Sequence, residues 1–161
     1  MNVLVLGSGA REHALAWKLA QGRGVRRVYA GPGNAGTAEV AVNLPDVDPM
    51  QPGTAIAACR EHGVDVVFVG PEAPLAAGVA DALRAAGVAT IGPGREAACL
   101  ESSKAFSKAF LVRNGIPTAE AAACRDAGAL AAHLAARRGR RLVVKKSGLA
   151  DKIKHRRLVI P

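Results

Sequence analysis

The chain has 161 residues, half of them apolar but only 3% aromatic, and a formal net charge of +9. That length suits one domain, or one domain and part of another, and lets about 70% of the unfolded surface be buried. With so few aromatic residues the core must be Val, Leu, Ala and Ile, as in parallel sheets clad by alanine-rich helices. The charge is uneven: residues 1–136 carry twelve basic and twelve acidic side chains, whereas residues 137–161 carry ten basic ones against one acid, Asp151. No base-stacking aromatic and no reading motif accompanies this basic end, so it is expected to be solvated rather than to bind nucleic acid. No run reaches the eighteen or so apolar residues of a membrane span, and Met1 leads directly into a strand pattern, which points to a cytoplasmic protein. Cys59, Cys99 and Cys124 are odd in number and lack a C-x-x-C pattern, so reduced, buried thiols are expected rather than disulfides or a zinc site.

In chain order, the patterning predicts a strand over residues 2–6 and a helix over 12–21 with an apolar face built from Ala14, Leu15, Trp17, Lys18 and Leu19. A second strand over 25–30 precedes a turn-rich loop over 31–37. A short strand over 40–44, a helix over 51–62 and a nearly continuous apolar strand over 64–69, interrupted only by Asp65, come next. A rigid Gly-Pro loop over 70–74, a helix over 75–86 and a fifth strand over 88–91 complete the alternation, which implies an α/β fold with a parallel, doubly wound, Rossmann-like sheet. Each strand ends in a Gly or Pro loop, so these loops are expected to meet at the carboxyl edge of the sheet, where ligands bind in such folds.

The most informative stretch is the first thirteen residues, MNVLVLGSGAREH. A buried strand runs into Gly7-Ser8-Gly9 and then into a helix, a corner whose glycines let a ligand approach the backbone and whose helix amides favour an anion. The dinucleotide fingerprint G-x-G-x-x-G is broken, because Glu12 stands where its third glycine belongs, and the second strand ends without an acid for a ribose hydroxyl. Arg11, with its fork of donors, suits a terminal phosphate, so a sugar phosphate is the expected ligand.

Four motifs in order, GSGAREHALAW from Gly7, Gly31-Pro32-Gly33-Asn34-Ala35-Gly36-Thr37, VGPEAPL from Val69 and LESSKAFSKAFLVRNGIPTA from Leu100, strongly resemble the glycinamide ribonucleotide synthetase (phosphoribosylamine glycine ligase) family. The resemblance covers residues 1 to about 150. It implies a pre-ATP-grasp, phosphoribosylamine-binding domain over 1–101, a helix and linker over 102–119, the first fragment of an ATP-grasp domain over 120–150, and a non-matching basic tail over 151–161. It also implies the second step of purine synthesis: ATP phosphorylates the glycine carboxylate, and the amine of 5-phosphoribosylamine attacks the glycyl phosphate. By position, Gly7, Gly9, Arg11, Glu12 and His13 would line the phosphate corner, with Gly33 and Asn34 beside it. Pro71, Glu72 and Pro74 would close the site, Glu72 toward ribose hydroxyls or the amine. Packing or turn formation is the competing account of His13, Asn34 and Glu72.

The family's ATP-contacting lysines correspond to Lys104 and Lys145. After Lys145 the match decays: Lys146 and Ser147 replace an expected Ala and Asp, Gly148-Leu149-Ala150 is kept, and the glycine-rich ATP loop is not found. ATP and Mg²⁺ or Mn²⁺ would serve the complete enzyme. From Ser102 onward the acids are Glu120, Asp126 and Asp151, and no two of them make a pair suited to one metal. The chain alone is therefore expected to bind no metal and to lack ligase activity. A truncated ligase is the favoured reading. A stand-alone sugar-phosphate module and an NAD(P)-binding oxidoreductase domain are the alternatives, and self-association through the surface that would face the rest of an ATP-grasp domain is a further expectation.

Overall fold

The computed structural model describes residues 1–148 and 158–160. It falls into two compact units, Met1–Cys99 and Leu100–Pro161, and each is taken by itself. The first contains β1 (Asn2–Gly7), α1 (Ala10–Ala20), β2 (Arg27–Pro32), a 3-10 turn (Thr37–Glu39), β3 (Val42–Asn43), α2 (Pro52–His62), β4 (Val66–Val69), α3 (Glu72–Ala77), α4 (Val79–Ala85), β5 (Thr90–Ile91) and the start of α5 (Arg95–Ser102). All five strands are parallel, in the order β3-β2-β1-β4-β5. The chain thus winds outward from β1 to β3 and then returns to β4 on the other side, placing a topological switch point between β1 and β4.

The two-residue period of β1 decides what each face covers. Leu4 and Leu6 join Val67 and Val69 of β4, Ala55 and Cys59 of α2, and Val79, Ala80 and Leu83 of α4 in one core. Val5 packs on the opposite face with Val28 and Ala16, flanked by Leu15, Leu19 and Phe68. Leu4, Leu6, Val67 and Leu83 are fully buried, each contributing about 1.5–3 kcal/mol by removal from water. The single acid before β4 has a local role: Asp65 Oδ2 accepts the Asn2 amide at 2.6 Å, while the buried Asn2 side chain donates to the carbonyls of His62 and Gly63 at 2.9 and 3.0 Å.

Several boundaries differ from expectation for identifiable reasons. Helix α1 opens at Ala10, two residues early, so Arg11, Glu12 and His13 all lie in its first turn. Its buried residues are Glu12 and Ala16, while Trp17 is 53% exposed and lies outside the core clusters. The helix expected over 75–86 is two helices, because α3 begins at Glu72, inside the expected loop, and Gly78 at φ +88° ends it in the left-handed region. Helix α5 was not foreseen. Its Arg95 amide is accepted at 2.7 Å by Asp81 Oδ2, a cap supplied from fourteen residues upstream and hence invisible to local patterning.

The second unit holds α6 (Lys104–Arg113), α7 (Ala127–Ala135), β6 (Leu142–Val144) and β7 (Leu158–Ile160), the two strands pairing antiparallel with Val143 opposite Val159. Ser103 caps α6 by accepting the Phe106 amide at 3.3 Å, and Asp126 caps α7 by accepting the Ala129 amide at 2.8 Å. Among residues 100–148 no side chain is fully buried, and Phe106, Val112, Ile116 and Val143 are 40%, 71%, 43% and 54% exposed. Residues 149–157 and 161, most of the expected basic tail, lie outside the described residues, whereas 158–160 form β7. Among the described residues no helix is long and apolar enough to cross a membrane.

Of the three free cysteines, Cys59 alone is buried, and Cys99 and Cys124 are half-buried, which corrects the expectation that all three are interior. Burial pushes the Cys59 thiol above its ordinary pKa, so less of the reactive thiolate is present at a given pH. Iodoacetamide at pH 8 should therefore label Cys99 and Cys124 well before Cys59 in native protein, as mass spectrometry of peptides would read. Labelling of all three at one rate would contradict this packing.

Candidate functional site

The carboxyl ends of β1, β2 and β4 bring three loops to one corner of the first unit. Gly7 ends β1 at φ +124°, a conformation that strongly favours glycine, and Gly9 is the N-cap of α1. Glu12, only 5% exposed, turns back into this corner and accepts the Gly9 amide through Oε2 at 2.7 Å. Its side chain fills the space beside three glycines. A Cβ on Gly7 would lie 2.7 Å from Glu12 Cγ, one on Gly9 2.7 Å from Oε2, and one on Gly70, at the end of β4, 2.7 Å from Oε1. The residue that breaks the dinucleotide fingerprint is thus a carboxylate wedge. It carries negative charge to the helix amide that a pyrophosphate would approach in the NAD-binding version of this fold. Glu12 therefore shapes the corner from within, and the Gly9 amide is engaged by its carboxylate.

The second loop is tied to the first. Gly33 donates to the Gly7 carbonyl at 3.2 Å, and the Asn34 side chain donates to the Ser8 and Gly9 carbonyls at 2.9 and 3.3 Å. Asn34 Oδ1 in turn accepts the Thr37 amide at 2.9 Å, while Thr37 Oγ1 accepts the Asn34 amide at 2.7 Å and lies 2.7 Å from Asn43 Oδ1. Gly33 sits at φ +79° against Asn43 and Thr37, leaving no room for a Cβ. His13 rests on the same loop, since a Cβ on Gly36 would come 2.5 Å from its ring. Asn34 is a strap and His13 a buttress in this arrangement. The fully buried Thr37 and the partly buried Asn43, which complete the strap, were not singled out from the sequence, although the spacing Asn34-x-x-Thr37 is a side-chain-to-backbone turn pattern.

The third loop carries Glu72 as the first residue of α3. Arg11 Nη2 donates to Glu72 Oε1 at 2.8 Å, across the mouth of the corner. Pro71 packs near Gly7, its ring carbon 2.8 Å from where a Gly7 Cβ would be, while Pro74 is buried within α3 and works through packing. Gly7, Gly9, Arg11, Glu12, His13, Gly33, Asn34, Pro71 and Glu72 thus gather at one edge. Lys104 and Lys145 belong to the second unit, where Lys104 Nζ donates to the Gly148 carbonyl at 3.0 Å and Lys145 is exposed. Two open clefts lie elsewhere, toward the amino edge. One of about 380 Å³ is bounded by Val25, Arg27 and Val40, and one of about 450 Å³ by Asn2, Arg26 and His62, which stacks on Tyr29 at 4.9 Å. Open α/β sheets bind ligands at the other edge, and the glycine turn, the arginine and the strapped loops are all there.

Residues 1–101 match the family described as Phosphoribosylglycinamide synthetase, N domain. Over 150 residues the chain is 49% identical to phosphoribosylamine–glycine ligase of Ralstonia nicotianae, covering 93% of this chain and 35% of that protein. It is 50% identical over 150 residues to the trifunctional purine biosynthetic protein adenosine-3 of Gallus gallus, covering 92% of this chain and 15% of the other. The crystal structure of phosphoribosylamine–glycine ligase from Thermotoga maritima superimposes with a TM-score of 0.71 at 28% identity, over 92% of this chain and 34% of that one. The chain thus spans about a third or less of the length of these relatives, and none of their names favours the oxidoreductase or stand-alone-module alternatives.

Glu12→Ala leaves the Gly9 amide unpaired and opens a hole between three glycines. The substitution should cost about 1–3 kcal/mol of unfolding free energy in denaturant titration, with Glu12→Gln less harmful because it keeps the shape and one acceptor. A neutral Glu12→Ala would contradict the wedge.

Proposed function

Because this chain belongs to the phosphoribosylglycinamide synthetase N-domain family, we propose that it is the sugar-phosphate-holding portion of an ATP-dependent ligase that joins glycine to 5-phosphoribosylamine. The observation that supports this reading is the convergence of Arg11, the Gly7–Gly9 turn, the Gly33–Asn34 loop and Glu72 at the switch point of the sheet. Arg11 takes the 5-phosphate, whose oxygens its planar fork matches. Gly7 and Gly9 let that phosphate approach the backbone, and Asn34, Glu12 and His13 hold the loops that receive it. Glu72 accepts hydrogen bonds from the ribose hydroxyls or the amine, with Pro71 and Pro74 fixing its loop.

In the whole ligase, ATP would phosphorylate the glycine carboxylate, and the phosphoribosylamine nitrogen would displace phosphate to form the amide. Lys104 and Lys145 are the residues of this chain suited to the ATP phosphates. Among the described residues of the second unit a Mg²⁺ or Mn²⁺ ion does not fit the donors: Glu120 accepts from Arg137 at 2.9 Å, an interaction that, with Arg140 at 3.6 Å, holds its carboxyl below the usual range, and Asp126 caps α7. No step is assigned to a metal on these residues. Glycine, ATP and phosphoribosylamine are partners of the complete reaction, a cytoplasmic location accompanies this metabolic role, and self-association would proceed through the exposed Phe106, Val112 and Ile116.

Two measurements test the reading. In calorimetric titration, ribose 5-phosphate should bind the full chain, and Arg11→Ala should weaken binding by about 1.5–3 kcal/mol, the worth of a charged hydrogen bond; equal affinity of the two proteins would remove Arg11 from the site. The purified chain given ATP, glycine and phosphoribosylamine should form no amide, and ATP-dependent product above the uncatalysed rate would contradict the assignment of catalysis to residues outside it.

A further inference from the structure

Glu12 has two carboxylate oxygens, and the frame of the corner uses one of them. Oε2 accepts the Gly9 amide at 2.7 Å. Oε1 lies against Gly70 at the end of β4, 2.7 Å from where a Cβ there would be, and among the described residues no protein group donates to it. This oxygen is not sealed in. Among the described residues every side-chain nitrogen or oxygen cut off from solvent has a hydrogen-bond partner, so Oε1 is reached from outside although Glu12 as a whole is only 5% exposed. Gly70 keeps the approach open, because a side chain at that position would collide with Oε1. Since β1 and β4 are direct neighbours, Leu6 paired with Val69, an oxygen between their ends faces the crevice at the switch point of the sheet. A largely buried carboxylate oxygen without a donor costs free energy, and an N–H or O–H of a ligand removes that cost. The corner is also polarised. The Gly9 amide is already taken and the inner carboxylate repels an anion, whereas the Arg11 side chain is 69% exposed at the mouth.

We propose that Glu12 Oε1 is a ligand contact: it accepts an N–H from the amine of an aminated sugar phosphate and so fixes the direction of the ligand, amine inward and phosphate toward Arg11. This rests on the sugar-phosphate reading of the corner and goes beyond it by choosing between an amine and a hydroxyl. An ammonium only donates, and its hydrogen bond to a carboxylate is charge-assisted on both sides, so a hydroxyl on the same carbon gains less. A neutral amine donates one N–H to Oε1 and keeps its lone pair for the acyl carbon it attacks in the proposed ligation. Glu12 selects the amine-bearing ligand, and Glu72 is left to the ribose hydroxyls.

Matched stable probes test this on the full chain. One is the carbocyclic analogue of 5-phosphoribosylamine, in which a methylene replaces the ring oxygen so that the amine does not hydrolyse, and the other is the same carbocycle with a hydroxyl in place of the amine. Affinities of both, and of ribose 5-phosphate, are read by calorimetry for wild type, Glu12→Gln and Glu72→Gln, with thermal melts confirming that each variant folds. Wild type should prefer the amine probe by about tenfold. Glu12→Gln should abolish that preference and change the hydroxyl probe little. The Gly9 amide keeps the glutamine oxygen and turns the amide nitrogen toward the crevice, where a hydroxyl can accept from it and an ammonium cannot. The preference should survive in Glu72→Gln. If Glu12→Gln does not fold, the Glu12 carboxyl resonance of isotope-labelled wild type takes its place, and it should shift more with the amine probe than with the hydroxyl probe. A preference absent from wild type, kept in Glu12→Gln or lost in Glu72→Gln, or a Glu12 resonance that does not move, overturns the contact while leaving the sugar-phosphate site intact. Failure of every probe to bind overturns the site and the contact together.

Discussion

The constraint on which this corner depends is the buried carboxylate of Glu12 held by the Gly9 amide. A carboxylate that is 5% exposed is tolerable only where hydrogen bonds and a helix N-terminus compensate its lost hydration, and the first turn of α1 offers both. Once Glu12 occupies that space, Gly7, Gly9 and Gly70 must lack side chains, because each backbone comes within 2.9 Å of Glu12 at the place a Cβ would take. The Glu12 side chain thereby packs between the loops after β1 and β4. The loop after β2 is then tied to the first by Asn34, and Arg11, pushed to the outer face of the same helical turn, is left at the mouth.

This arrangement sets an internal frame beneath a polar pair at the surface. Glu12, through Oε2, and His13, Asn34, Thr37 and Asn43 spend their polar atoms or surfaces on other parts of the chain, and Arg11 and Glu72 meet at the surface. A frame whose loops are already ordered in the folded chain would suit the proposed recognition of a small phosphorylated sugar, since the entropy of ordering them is met in folding. The second unit is built differently. Among residues 100–148 no side chain is fully buried, and caps such as Ser103 and Asp126 and the Glu120–Arg137 pair hold its helices.

Much of the fold was legible because its signals are local. The apolar run before Gly7, the alternation of strands with alanine-rich helices and the Gly-Pro loops led to a parallel, doubly wound sheet, and the four quoted motifs led to the family now matched over residues 1–101. What escaped was whatever depends on residues distant in sequence. The Asp81 cap that starts α5, the inward turn of Glu12 against Gly70 and the pairing of Arg11 with Glu72 are set by tertiary neighbours, and no periodicity announces them. Trp17 misled for a related reason: amphipathic counting places it beside Leu15 and Leu19, but the surface that α1 covers is narrow, and the small Ala16 is the residue that fits against Val5 and Val28.

The central claim, that the carboxyl-edge corner holds a sugar phosphate, is tested most directly by locating the ligand. Amide chemical-shift mapping of the full chain with ribose 5-phosphate should perturb Ser8 to Arg11, Gly33, Asn34 and Glu72, and leave Arg26, Tyr29 and His62 at the amino edge unmoved. Perturbations concentrated around Arg26 and His62, or confined to the second unit, would contradict the account.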